Sequence, residues 1–146
     1  MSSPIRRYLP HLIVGLSISL LMIGAYAAVG FAASSQPKAL WSTNPLTITF
    51  AASTGTGSAT DSFKCAPPTT GVTLKASVSG TGASKVSLTA SPSTFASCGP
   101  PYQTVTLTAH CLVPATTCKG TWSGTVTITR GYQTIPPSLA VNIVVT

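Results

Sequence analysis

From Leu46 to the C-terminus, apolar and hydroxyl side chains take turns along the chain with a period of two, and that rhythm restricts the fold more than any other feature. Successive side chains of a strand project to opposite faces, so each alternating run has one dry face and one wet one. Leu46, Ile48 and Phe50 alternate with Thr47 and Thr49, and Val72, Leu74, Ala76 and Val78 with Thr73, Lys75 and Ser77. Val86, Leu88 and Ala90 alternate with Ser87 and Thr89. The second half is more regular still. Val105, Leu107, Ala109 and Cys111 oppose Thr104, Thr106, Thr108 and His110; Trp122, Gly124, Val126 and Ile128 oppose Thr125, Thr127 and Thr129. Leu139, Val141, Ile143 and Val145 close the chain against Ala140 and Asn142. No run of helical period separates these stretches.

Glycine-rich connections are read at Gly55–Asp61 and Ser79–Ser84, loops at Pro67-Pro68 and Pro100-Pro101, and a turn over Arg130–Pro137. With a further short run at Ser62–Cys65, the pattern predicts six or seven strands in about 100 residues. That is a mainly β chain built as an antiparallel β-sandwich.

Upstream the chemistry changes. Leu12–Ala33 contains no charged residue and no proline, and as a helix it rises about 33 Å, close to the thickness of a bilayer core. The expected organisation is a basic cytoplasmic leader at 1–11, a hydrophobic helix at 12–33, a linker at 34–45 and an extracellular β-sandwich at 46–146. Arg6 and Arg7 hold the leader inside by the positive-inside rule and send the C-terminal domain out. They also form a pair of the twin-arginine kind, against which stand Pro10 and the strong hydrophobicity of the run that follows.

Three fates are open to the apolar run. Small residues at Ala25 and Ala27, or Gly30 and Ala32, fit signal cleavage, which releases a secreted soluble domain, although the run exceeds the usual signal length. Retained, it is a single-pass membrane anchor. Alternatively it packs against copies of itself: Gly24, Ala28 and Ala32 share one helix face, as do Gly15 and Ser19, in the small-xxx-small spacing that lets helices approach closely. In the linker, bounded by Pro37 and Pro45, Trp41 suits either a membrane interface or a plug for the core.

Cys65, Cys98, Cys111 and Cys118 all follow the apolar run, and an even number on the exported side predicts two disulfides. Of three pairings, Cys111 with Cys118 and Cys65 with Cys98 is preferred, because the first closes a short loop. A zinc site formed by these cysteines with His110 lacks the CxxC spacing such sites use.

Charge is scarce. Eight Lys and Arg face a single acid, Asp61, giving a net charge of +7 with only 6% charged residues. One acid excludes hydrolysis by paired carboxylates within one chain. A serine nucleophile would need His110 as base and Asp61 as orienter, and no serine sits in a G-x-S-x-G context. There is no phosphate-binding or dinucleotide fingerprint, so neither enzyme activity nor a cofactor is expected, and no metal site. The cations are scattered without an interleaved aromatic platform, which argues against nucleic acid. Tyr102, Tyr132, Trp122 and Trp41 are the residues available for a carbohydrate platform, with Trp122 on the dry face. About a third of the residues from Ser34 onward are Ser or Thr, offering acceptors for O-linked glycans, whereas no N-linked sequon exists: Asn44 is followed by Pro45, and Asn142 by Ile143 and Val144. The scarcity of acids suits an acidic exterior.

The run Gly120–Thr129 and the closing Ser138–Val145 resemble the last two strands of prokaryotic immunoglobulin-like domains. The apolar helix followed by a β-rich head resembles in architecture type IV pilins and the archaeal pilins and archaellins. These resemblances imply an immunoglobulin-like fold of the cell surface or of extracellular filaments. The expectation is therefore a structural or adhesive surface protein, most concretely a repeating subunit of an extracellular filament or other surface or viral assembly. It would self-associate through the N-terminal segment and sheet edges. The alternative is a single-pass membrane-anchored accessory or ligand-binding domain.

Overall fold

In the computed structural model the structure describes residues 35–146. The leader, the apolar run and its small residues Gly15, Ser19, Gly24, Ala28 and Ala32 lie outside the described residues.

The described chain is mainly β. Nine strands run in the order β1 (Lys38–Trp41), β2 (Leu46–Phe50), β3 (Thr56–Ala66), β4 (Thr69–Ser79), β5 (Val86–Ser91), β6 (Thr94–Cys98), β7 (Gln103–Cys111), β8 (Gly120–Arg130) and β9 (Gln133–Val145), with a one-turn helix α1 (Ala115–Cys118) between β7 and β8. They form a four-stranded sheet, β1-β3-β7-β5, and a five-stranded sheet, β2-β9-β8-β4-β6. Consecutive strands therefore alternate between the two sheets until β8 and β9, the one pair adjacent both in sequence and in a sheet.

Period two explains the packing. Phe63, Cys65, Val86, Leu88, Val105, Leu107 and Ala109 of the first sheet share one buried cluster with Ile48, Val72, Leu74, Trp122, Val126, Ile128, Leu139, Val141 and Ile143 of the second. Two glycines permit close approach. A Cβ on Gly57 of β3 would stand 2.6 Å from the Phe50 side chain of β2, and one on Gly124 of β8 would stand 2.8 Å from Leu88 of β5. Both contacts join opposite sheets.

The described residues form nine strands where six or seven were expected, and four further expectations change. The linker supplies β1, paired with β3 from Lys38↔Ala66 to Trp41↔Phe63 and burying Ala39. Four residues are too few to show a period. Gly55–Asp61 is no connection beyond its first residue, because β3 begins at Thr56 and pairs with β7 along eight residues. Its inward-facing residues are the small Gly57, where a side chain would strike Phe50, and the partly buried Ala59, which concealed the alternation. The turn before β9 is only Gly131-Tyr132, with Gly131 at φ 57°. Pro136 and Pro137 lie inside β9, at the irregularity where the ladder passes from Val126↔Leu139 to Ile128↔Ile135, so no β8 partner needs their missing N–H groups. Finally, pairing is not wholly antiparallel: β2 runs parallel to β9, Leu46↔Val141 to Phe50↔Val145. Nearly the whole domain forms the crossover between them, as parallel neighbours require.

Candidate assembly surface

The cysteines form Cys65–Cys98 and Cys111–Cys118, the pairing preferred from the sequence. The first ties β3 to β6 across the two sheets, with Cα atoms 5.1 Å apart; the second closes the loop through α1 at 6.0 Å.

The residues a hydrolytic site would need are separated. In the β3–β7 ladder Asp61 pairs with Val105 and His110 with Thr56, five positions apart and so about 17 Å along the strands. Asp61 is buried and His110 exposed. One carboxylate oxygen of Asp61, Oδ1, accepts a hydrogen bond from the Thr43 N–H at 3.2 Å, while Oδ2 is buried without a partner. Burial pushes this carboxyl above its ordinary value of 3.8, opposed by the backbone N–H groups of Ser62 and Thr43. Among the described residues, no group of three or more His, Cys, Asp or Glu is placed to hold a metal ion.

The aromatic residues are also dispersed. Trp122 is buried and its indole N–H donates to the Gly82 carbonyl at 3.1 Å. Trp41 packs 5.0 Å from the ring of Phe63, which stands edge-on to Phe95 at 5.1 Å. Trp41 is thus a plug at the margin of the core. Tyr102 and Tyr132 remain exposed.

What the outer surface offers is hydroxyls and strand edges. Across the first sheet, Thr60, Thr106 and Ser91 form one cross-strand row, and Ser58, Thr108 and Thr89 the next. Across the second, Thr94, Thr73, Thr129 and Thr134 line up over four strands, with Thr129 buried between its neighbours. Several turn back on the backbone: the Thr129 hydroxyl donates to the Thr73 carbonyl and that of Thr127 to the Lys75 carbonyl, each at 3.3 Å. Such rows hydrogen-bond without carrying charge.

The edges differ in protection. Along β9, beyond the reach of the short β2, side chains from the end of β1 and from the β1–β2 connection take the place of a strand. The Trp41 indole donates to the Pro137 carbonyl at 3.0 Å, and the Asn44 amide donates to the Ser138 carbonyl at 3.2 Å. The Asn44 carbonyl oxygen in turn accepts the Ala140 N–H at 3.1 Å. That cover was not legible in the sequence, where Asn44 read only as a residue before proline. At the other side of both sheets, β5 and β6 are terminal strands, each paired on one side only among the described residues. Neither contains a charged residue or a proline, the usual devices against further pairing. A groove of about 280 Å³ opens beside β6, lined by Pro68, Thr70, Ser97, Gly99 and Pro100 over the Cys98 disulfide. β6 itself was missed because its five residues, bracketed by Pro92 and Pro100, are too short to display a period.

No family model matches the chain, and no curated protein matches it by sequence. Among solved structures it is similar to the CooA pilin subunit from enterotoxigenic Escherichia coli, with 13% sequence identity and a TM-score of 0.43, over 76% of this chain and 97% of the pilin.

Proposed function

We propose that the protein is a non-enzymatic structural subunit of an extracellular filament or surface assembly, with an immunoglobulin-like sandwich as its head. Subunits associate through the apolar N-terminal segment and through sheet edges. The observation that carries this reading is the contrast between edges: β9 is covered by Trp41 and Asn44, whereas among the described residues β5 and β6 end their sheets with no further strand beside them and carry no charge. An unprotected edge is a template for strand addition, and main-chain hydrogen bonds then supply the affinity. The two buried disulfides suit an oxidising exterior. The test is to place a lysine on each open edge, Thr89→Lys and Ala96→Lys, both at exposed positions. Light scattering of the purified chain should show assembly lost with the thermal transition retained; unchanged assembly in both variants would overturn the role of these edges.

A second reading, a head held at a membrane by a retained anchor, is favoured by one observation. Basic and aromatic residues gather at the end of the head where the chain enters it.

A further inference from the structure

Strand register brings a distinctive set of side chains to one end of the head. Lys38 opens β1 opposite Ala66, Lys64 lies one turn of the pleat away opposite Leu40, and Gln103 opens β7 opposite Phe63. In the second sheet Arg130 and Gln133 close the β8–β9 hairpin. The chain enters at this same end, since Gln36 and Pro37 line a small cleft with Arg130, Gln133 and Ile135.

This end therefore carries Lys38, Lys64 and Arg130, half of the six Lys and Arg from residue 35 onward, and no acid. Asp61, the chain's one acid, is buried within the β3–β7 ladder. Both exposed tyrosines of the described residues are here as well. The Lys64 ammonium stands 4.7 Å from the centre of the Tyr102 ring, and Tyr132 sits fully exposed at the hairpin tip. Leu40, also exposed, neighbours Lys64 across the ladder. The opposite end carries Lys85 and Lys119 and, among the described residues, no exposed aromatic residue.

The occupant follows from covalent reach and charge. The apolar run ends at Ala33, so at most about 3.6 Å per residue separates its last residue from Gln36, a span of about 11 Å. At full stretch that is somewhat more than one Debye length at physiological salt, so charges at this end feel a membrane surface through partial screening, and more strongly as the tether shortens. Cationic side chains beside amphipathic aromatic rings are the composition that settles at the headgroup level of a bilayer.

We propose that the end of the head bearing Lys38, Lys64, Arg130, Tyr102 and Tyr132 docks on anionic phospholipid headgroups of the membrane from which the chain emerges. This rests on the second reading above, in which the apolar run is retained as an anchor.

The test uses the full chain, one copy per lipid nanodisc, in phosphatidylcholine with and without phosphatidylglycerol. A fluorophore on Gln133→Cys reports proximity to a headgroup-located quencher. Quenching should be several-fold stronger with phosphatidylglycerol and fall at high salt. Neutralising Lys38, Lys64 and Arg130 to Gln should remove the difference, each charge weakening docking roughly five-fold. The Lys85→Gln/Lys119→Gln pair at the far end should leave it intact. Equal quenching in both lipids, or equal loss from the far-end pair, overturns docking while leaving the anchor standing. A chain that fails to stay with neutral discs at high salt overturns the anchor and the docking together.

Discussion

Removing the Cys65–Cys98 bridge should destabilise the head more than removing Cys111–Cys118, and loop length sets the difference. Cys65, Cys98 and Cys118 are fully buried and Cys111 nearly so, so burial does not separate the two bridges. The closed loops differ greatly, with sequence separations of 33 and 7. In the chain-entropy view, a cross-link removes about 2.1 cal/mol/K plus 1.5R times the logarithm of loop length from the unfolded chain. At 25 °C that gives about 3.7 kcal/mol for Cys65–Cys98 and about 2.4 kcal/mol for Cys111–Cys118. The variants are Cys65→Ala/Cys98→Ala and Cys111→Ala/Cys118→Ala, compared by equilibrium unfolding in urea. Trp41 and Trp122 lie at the margin and in the body of the core, so their fluorescence follows the transition. The expected gap is about 1.3 kcal/mol between the double variants. A short-loop variant that loses as much as the long-loop one would refute the entropic reasoning and place the stabilisation in local packing around α1.

Asp61 gives the head an inverted pH response. Its carboxyl is raised in the folded state, so the stability it contributes is fully present below its unfolded value and is lost as pH rises through the folded one. The melting temperature should therefore rise as pH falls from neutral toward about 4, and Asp61→Asn should flatten that slope; a wild-type melting temperature that falls over this range would contradict it. Gly57→Val forces side-chain atoms into Phe50 and should lower stability by about 1 to 3 kcal/mol, measured by chemical denaturation; a neutral result would mean that the sheets separate readily there. Asn44→Ala removes both hydrogen bonds to the β9 edge and should cost about 1 kcal/mol, with faster amide exchange at Ala140 as its local signature.

The long strands were readable because their alternation is uninterrupted. Val105 to Cys111 and Trp122 to Thr129 need no tertiary information to show one buried face, and the structure buries Val105, Leu107, Ala109, Val126 and Ile128. What escaped was set by contacts distant in sequence. β1 is four residues long and exists because β3 lies beside it, and Gly57 reads as a loop residue until Phe50 is seen to fill the space a side chain would take. Pro136 and Pro137 signal a turn by every local rule, and only the missing β8 partners at that irregularity make them tolerable in a strand. The parallel pairing of β2 with β9 joins residues about a hundred positions apart, which no local pattern encodes. The surface was legible in composition and not in arrangement. Hydroxyl-rich faces were evident, whereas the rows from Thr94 to Thr134 and the cover provided by Trp41 and Asn44 depend on register.

Electron microscopy of the native protein in purified surface fractions tests the subunit role most directly. Ordered, elongated polymers with the β-rich head as their repeating unit are the expected result. A protein that is strictly monomeric, both at the surface and after solubilisation in mild detergent, would contradict assembly through the N-terminal segment and the open edges of β5 and β6.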